Sequence, residues 1–323
     1  MIRRILVSLA MAIALAACSG GNAKPASPTR APLIDPASPG PYAVGLTHKT
    51  FERAGNADGK PRVLDTWIWY PAAGTPGAAI ADDAPPAMGG PFPVIVFSHG
   101  SGGEPQFYRF ITEHLASWGF IVAAPPHPGN TSGDCPCDGG NIVASARERP
   151  DDVAFVLDQM LALRNDASQP LGAIVDLDRA GIAGHSFGGW TSLFVAPNGR
   201  FDAALALAPG LPESLIQRSA NDQVPLLIIG GGRDEIVPAG SVQKLWESLP
   251  SGIDRTYVSL PEGRHLTFID RCLNCTVALT EARGHELTNG YATAFFMTEL
   301  ARDSRYSTYL QEPQPPDALL VGR

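Results

Sequence analysis

The junction at residues 179–195 (RAGIAGHSFGGWTSLFV) narrows the folding options of this chain more than any other stretch. An apolar strand-like run ends at Gly184-His185, a serine follows, and a helical pattern begins at once. Gly184-His185-Ser186-Phe187-Gly188, with Gly189 behind it, puts small residues on both sides of Ser186. A serine on a sharp strand-to-helix turn needs such neighbours, because the turn is strained and its hydroxyl must stand clear of the sheet. The helix that starts there also points its first N–H groups and its positive dipole end at the same spot. The pentapeptide alone is common; the strand before it and the helix after it supply the context it requires. A glycine-rich turn without chemistry is the plain alternative.

Around this junction the chain alternates between apolar runs and amphipathic stretches. Strands are expected at residues 63–70 (VLDTWIWY), 92–98 (FPVIVFS), 119–124 (GFIVAA), 179–185, 201–207, 224–229 and 255–260. Helices are expected at 106–118, 148–163, 186–195, 240–249 and around 290–300. In the second of these, Val153, Val156, Leu157, Met160 and Leu161 recur at helical spacing. Residues 71–91 and 125–146 read as loops. Strands alternating with helices imply right-handed crossovers and one mostly parallel central sheet covered by helices on both faces, a single α/β domain. Reactive groups in such a sheet belong at the carboxyl ends of its strands. No internal repeat is visible.

That rule selects the partners of Ser186. The strand at 224–229 runs into Gly230-Gly231-Gly232-Arg233-Asp234-Glu235, so Asp234 is the expected acid, with Glu235 as the adjacent alternative. Of seven histidines only His265 and His285 follow Asp234. His265 comes directly after the strand at 255–260 and is the expected base, whereas His285 is expected at the start of a helix, exposed. The chain order serine, acid, histidine is that of one known triad class. Upstream, Ser98-His99-Gly100-Ser101-Gly102-Gly103 closes the strand at 92–98. A turn so rich in glycine frees backbone N–H groups for a ligand, and the N–H groups of Ser101 and Phe187 are the expected oxyanion hole. His99 is expected to brace that turn, and His185 lies beside the serine without being placed as its base. His127 and Gly102 are candidates for the pocket wall, a loop hydrogen bond being the plainer role for His127. No Gly-Lys-Ser/Thr follows the glycines, which disfavours a phosphate cradle.

The amino-terminal residues read as an address. Arg3 and Arg4 precede an apolar stretch at 5–17, too short for a membrane span of roughly 20 residues and suited to a secretory leader. Residues 19–41, rich in Pro, Ser, Ala and Gly, cannot bury enough surface to order themselves and are expected to form a tether. The expected division is therefore a leader at 1–17, a tether at 18–41, one domain at 42–311 and a tail at 312–323. The formal charge of −8, or −10 once Arg3 and Arg4 leave with the leader, argues against a nucleic-acid role. Apart from Cys18, the cysteines form two close pairs, Cys135/Cys137 and Cys272/Cys275. In an exported chain these read first as disulfides of undetermined connectivity, a four-cysteine zinc site being the alternative.

Two resemblances add to this reading. Leu15-Ala16-Ala17-Cys18 resembles a bacterial lipoprotein processing site, implying lipidation of Cys18 and a membrane anchor; Ser19 in place of an aspartate leans toward the outer membrane. SHGSGG at 98–103, GFIVAAPPHPGN at 119–130, RPDDVAFVLDQM at 149–160, GHSFGG at 184–189, GGRDEIVP at 231–238 and EGRH at 262–265 resemble the α/β-hydrolase superfamily. Within it they are similar to the branch of dienelactone-hydrolase-like and platelet-activating-factor-acetylhydrolase-like serine esterases. Dienelactone hydrolases proper use a cysteine where this chain has Ser186, and polyester-cleaving cutinase-like enzymes share the same layout. The resemblance implies ester hydrolysis of a small-molecule or lipid-like substrate through Ser186, Asp234 and His265, with no metal or organic cofactor. An amidase or peptidase on the same triad, and a non-catalytic surface binding domain, are the rival readings.

Overall fold

The apolar runs of this chain pair with one another, and the computed structural model shows them as strands of one sheet. It describes residues 33–56, 59–134, 139–166, 168–210, 223–270, 275–313 and 316–323. In chain order the elements are β1 (Ala43–Ala54), β2 (Pro61–Ala72), β3 (Ala81–Asp82), β4 (Phe92–Ser98), α1 (Arg109–Ser117), β5 (Ile121–Ala124), α2 (Gly139–Ala162), β6 (Val175–His185), α3 (Phe187–Val195), β7 (Ala203–Leu207), β8 (Leu226–Gly231), α4 (Ala239–Ser248), β9 (Arg255–Leu260), α5 (Glu281–Glu299) and β10 (Leu319–Gly322). The strand order is β10-β9-β8-β7-β6-β4-β5-β2-β1-β3. The run from β5 through β4 to β9 is parallel throughout. The β1–β2 hairpin joins antiparallel on one side and β10 on the other.

Side-chain alternation divides the core between the two faces. Val94 and Val96 of β4, with Leu226 and Ile228 of β8, pack with Val153, Val156 and Met160 of α2 and Val242 and Leu245 of α4. Ile95 and Phe97, with Leu227 and Ile229, pack on the opposite face with Ile111 and Leu115 of α1 and Leu287, Phe295 and Phe296 of α5. Strands buried on both faces have no polar positions, which explains their unbroken apolar runs. Each such side chain contributes about 1.5–3 kcal/mol by leaving water. The result is a three-layer α/β sandwich of the α/β-hydrolase fold.

The structure differs from the sequence expectations at four places. The domain begins earlier than residue 42: Ile34–Arg323 forms one compact unit. Pro36 O accepts from His114 Nε2 (2.8 Å), Ser38 O from Trp118 Nε1 (2.9 Å), and Ser117 Oγ from Gly40 N–H (2.9 Å). Within the tail expected at 312–323, Leu319–Gly322 is a strand on β9. The β1 strand was not anticipated, because its outer half, KTFERA, has one large apolar residue, Phe51, among charged and polar ones. Finally, α2 starts at Gly139 inside the expected loop and runs through Pro150. A proline near a helix start is common, so Pro150 reads as a beginning when it is an interior residue. Residues 1–32, and with them the leader, Cys18 and most of the tether, lie outside the described residues, as do Cys135, Cys137 and Cys272.

Candidate active site

β6 ends at His185 and α3 begins at Phe187, leaving Ser186 alone on the turn at φ 55° and ψ −116°. A non-glycine residue there costs on the order of 1–3 kcal/mol and persists only when its surroundings hold it. Ser186 N–H donates to Leu207 O (2.8 Å), and Ser186 O accepts from Gly210 N–H and Trp190 N–H (both 3.0 Å). The flanking glycines are needed for close approach. A Cβ on Gly184 would lie 2.4 Å from the Gly188 backbone, and one on Gly188 would lie 1.8 Å from Ser98 O. Helix α3 therefore sits directly on the ends of β4 and β6, with the Ser186 side chain half-buried above them.

Asp234 follows β8 through a glycine turn that folds back on β9: Gly232 N–H donates to Leu260 O (2.7 Å) and Arg233 N–H to Gly263 O (2.9 Å). Asp234 Oδ1 accepts from the N–H groups of Ile236 (2.9 Å) and Val237 (2.6 Å), and Oδ2 faces His265 Nδ1 at 2.8 Å. Both residues are buried, at 6% and 4% exposure. An ionised carboxylate only accepts, so the His265 proton belongs on Nδ1 and Nε2 is left as the basic nitrogen. Glu235 points elsewhere, 4.0 Å from Arg264.

His265 reaches Ser186 through the serine's neighbour. His185 Nε2–H donates to His265 O (3.1 Å), and the two imidazoles lie tilted by 45° with centroids 4.6 Å apart. His185 Nδ1 then accepts from Tyr108 Oη (3.1 Å), whose oxygen accepts from Gly100 N–H (2.8 Å). The acceptor-only carbonyl at one end and the donor-only amide at the other fix the direction of every bond in this chain. Burial holds His185 well below the usual histidine range, so it stays neutral. His265 is thus linked to the residue before Ser186, and no hydrogen bond joins the Ser186 hydroxyl to its imidazole. The loop carrying His265 is tied down at its far end by Asp270, whose carboxylate caps α1 through Arg109 N–H (2.6 Å) and Phe110 N–H (3.2 Å). His285 is half-buried rather than exposed: it stacks on Phe110 at 3.9 Å and bonds Ile269 O at 3.0 Å. Cys275 Sγ lies 3.9 Å from Thr267 Oγ1 on the same side.

The second expected half of the site, the turn after β4, lies across Ser186. Ser101 is exposed on it, and Gly102, half-buried with φ 65°, donates to Asn130 O at 3.2 Å. The Phe187 N–H is the first of α3 and so has no acceptor within the helix. His127 does not line a pocket. It is wholly buried, with Nδ1–H donating to Asp152 Oδ2 (2.9 Å) and Nε2 accepting from Ser98 Oγ (2.9 Å). Its N–H donates to His99 Nε2 (3.0 Å), which leaves His99 Nδ1–H to donate to Gly100 O (2.7 Å). Burial pushes His127 down to about 4 and His99 well below its ordinary value. Both brace the turn as neutral rings. Burial pushes the Asp152 carboxyl up, but hydrogen bonds from His127 and Arg62 outweigh it and hold it below the usual range.

Tyr108, Arg149 and Asp152 escaped the sequence reading. The available signal was Arg149 itself, which stands four residues before Val153 on the buried stripe of α2 where an apolar residue is expected.

A strained serine between β6 and α3, an acid–histidine pair at the ends of β8 and β9 and the glycine turn after β4 opposite define a serine hydrolase of the α/β-hydrolase class. The PET hydrolase-like family matches residues 84–318, and the chain belongs to that family. Cutinase est1 of Thermobifida alba is 31% identical over 227 residues, covering 70% of this chain and 66% of that protein. Cutinase 2 of Thermobifida cellulosilytica is 29% identical over 226 residues, covering 70% and 74%. Cutinase cut1 of Thermobifida fusca is also 29% identical, with 61% of its length covered, so the chain spans about two thirds of the cutinases it matches. In fold it is similar to a ferulic acid esterase from Streptomyces cinnamoneus, with a TM-score of 0.70 at 23% identity, covering 87% of this chain and 97% of that one. The family lies within the superfamily that the motifs resemble, on its cutinase-like side.

Proposed function

We propose that this chain is a carboxylic ester hydrolase working by two-step acyl transfer at Ser186. The observation that carries the reading is the buried Asp234–His265 pair at 2.8 Å, presented beside a serine held at φ 55°. His265 Nε2 takes the Ser186 proton as Oγ bonds to the ester carbonyl carbon, and Asp234 steadies the imidazolium that results. The oxyanion forms against the Ser101 and Phe187 N–H groups, each such donor contributing about 3–4 kcal/mol to barrier lowering. The C–O bond then breaks, the alcohol leaves with the proton from His265, and water repeats the sequence on the acyl-enzyme. No step draws on a metal or cofactor. The cutinase relatives and the PET hydrolase-like family support polyesters, alongside small esters, as the substrate class. Turnover of p-nitrophenyl esters of graded chain length, release of acids from a polyester film and labelling by a fluorophosphonate test this reading. Ser186→Ala should lower ester turnover by at least about 10³-fold with an unchanged circular dichroism spectrum; a variant that keeps its activity refutes it. Faster cleavage of matched amides than esters would favour the amidase alternative.

We infer in addition that the chain is exported and anchored through a lipid on Cys18, with Cys135, Cys137, Cys272 and Cys275 in disulfides. The basic start, the short apolar run and Leu15-Ala16-Ala17-Cys18 support this, and an oxidising compartment suits paired cysteines. Radiolabelled palmitate should be incorporated by the full chain and lost in Cys18→Ala; label retained by that variant would rule the anchor out.

A further inference from the structure

We propose that Arg149 is a positioning residue for the oxyanion hole, its buried guanidinium locking the turn that carries the Ser101 N–H to the ring of Phe187, the other donor. The inference rests on the ester-hydrolase reading above and adds to it a residue on α2, an element that carries no member of the triad.

The guanidinium is fully buried and uses all five of its N–H groups. Nε donates to Ser145 Oγ (3.0 Å); Nη1 to His99 O (2.5 Å) and Ser98 Oγ (3.2 Å); Nη2 to Asn130 Oδ1 (2.7 Å) and Gly100 O (3.3 Å). Three of these acceptors belong to residues 98–100, the segment leading into Ser101. The geometry of a peptide unit makes the Gly100 bond consequential. In a trans peptide, C=O and the following N–H point in opposite directions within one plane. Gly100 O is gripped by Arg149, by His99 Nδ1 (2.7 Å) and by Gly103 N–H (3.0 Å), so the Ser101 N–H is turned away from α2. The flat face of the same guanidinium lies over the Phe187 ring, with Cζ 4.3 Å from its centroid. Phe187 opens α3, and its backbone N–H is the second donor. One rigid fork therefore sets both donors relative to each other. Lysine, a point charge on a flexible stem, lacks the fork and the stacking face.

A packing role alone accounts poorly for this choice. Burying a cation costs several kcal/mol unless it is paired, and an apolar side chain of similar volume often serves a core as well. None of the five acceptors of Arg149 is a carboxylate. Asp152, one turn further along α2, is held by Arg53 (2.8 Å), Arg62 (2.7 Å) and His127 (2.9 Å) instead. A positive charge is thus held in a dry site behind the place where negative charge develops, where fixed charges and dipoles are most effective.

The test uses Arg149→Gln and Arg149→Lys in the full chain. Kinetics on p-nitrophenyl acetate are normalised to sites titrated with a fluorophosphonate, beside affinity for a trifluoromethyl ketone, which binds as a serine-bound oxyanion. For Arg149→Gln, kcat per titrated site should fall about 10²-fold and ketone affinity should fall in parallel, with KM moving less than about threefold. Arg149→Lys should recover part of the loss and not all of it. A merely structural role would lower the melting temperature and the titrated fraction while leaving kcat per site and ketone affinity unchanged, and that result would overturn the proposal. Should Arg149→Gln fail to fold, Arg149→Lys, which keeps the charge and most of the stem, decides alone. A wild-type chain that neither labels nor turns over esters refutes the hydrolase reading itself, and is told apart from failure of the Arg149 inference by that absence of wild-type activity.

Discussion

Gly210 leaves space where a methyl group would press on both Ser186 and the loop that carries Asp234. Its added Cβ would lie 2.7 Å from Val237 Cγ2 and 3.3 Å from Ser186 Oγ, and Val237 N–H is one of the two amides holding Asp234. Gly210→Ala should therefore displace the acid loop by a few tenths of an ångström. Misplacement of about 1 Å can cost about 100-fold in rate, so kcat should drop roughly 10-fold, with stability reduced by about 1–3 kcal/mol as for other overpacked sites. Steady-state kinetics beside a urea titration check both, and an unchanged kcat would show that the acid loop yields freely. His185 illustrates a different economy at the same scale. As the variable residue of the pentapeptide it has no steric duty, yet it joins the base loop to the oxyanion turn through Tyr108.

Elements that end in chemistry were legible because their signals are local. β4 and β8 are apolar runs and β9 is rich in β-branched and aromatic residues, each closed by a glycine-containing turn, and the order of Ser186, Asp234 and His265 follows from strand ends alone. Elements that depend on distant partners were not. In β1, KTFER places Lys49, Phe51 and Arg53 on the half-buried face and Thr50 and Glu52 in solvent, so neither face reads as apolar, and its pairing with β2 is a tertiary choice. β10 is four residues long and acquires meaning only against β9. Pro150 hid the first turns of α2, where the lost N–H is tolerated while Arg53 and Asn56 side chains attach to the nearby carbonyls of Glu148 and Arg147. The site was readable in its reacting groups and unreadable in its braces. The donors to Gly100 O come from α2, from His99 and from Gly103, and no spacing rule connects residue 149 to residue 100. The domain start was missed for a related reason: Pro- and Ser-rich residues at 36–41 are held by polar groups of α1 rather than by apolar burial of their own.

At the scale of the whole molecule, four of the five buried histidines are held neutral by burial: His99, His114, His127 and His185. Burial lowers all four, His114 and His127 to about 4. In the unfolded chain each titrates near about 6.5. Between those values the unfolded state binds more protons, so stability rises with pH: it is fully present above about 6.5 and is lost as pH falls toward 4. Each histidine adds a slope of up to about 1.4 kcal/mol per pH unit in that window. Below it the lowered Asp152 adds a further loss of the same sign. Urea unfolding at pH 7.5, 6 and 5 should show a steep decline, and equal stability at pH 7.5 and 5 would contradict it. The two borders of the sheet carry one more consequence. One border strand is the two-residue β3; the other is β10, four residues long with a register shift between Leu320 and Gly322. β3 covers β1 only at Gly45 and Leu46, and further along that edge Lys49, Glu52 and Arg53 supply charge instead. Each border of the wide sheet is thus either short or charged, which disfavours its extension into a neighbouring copy.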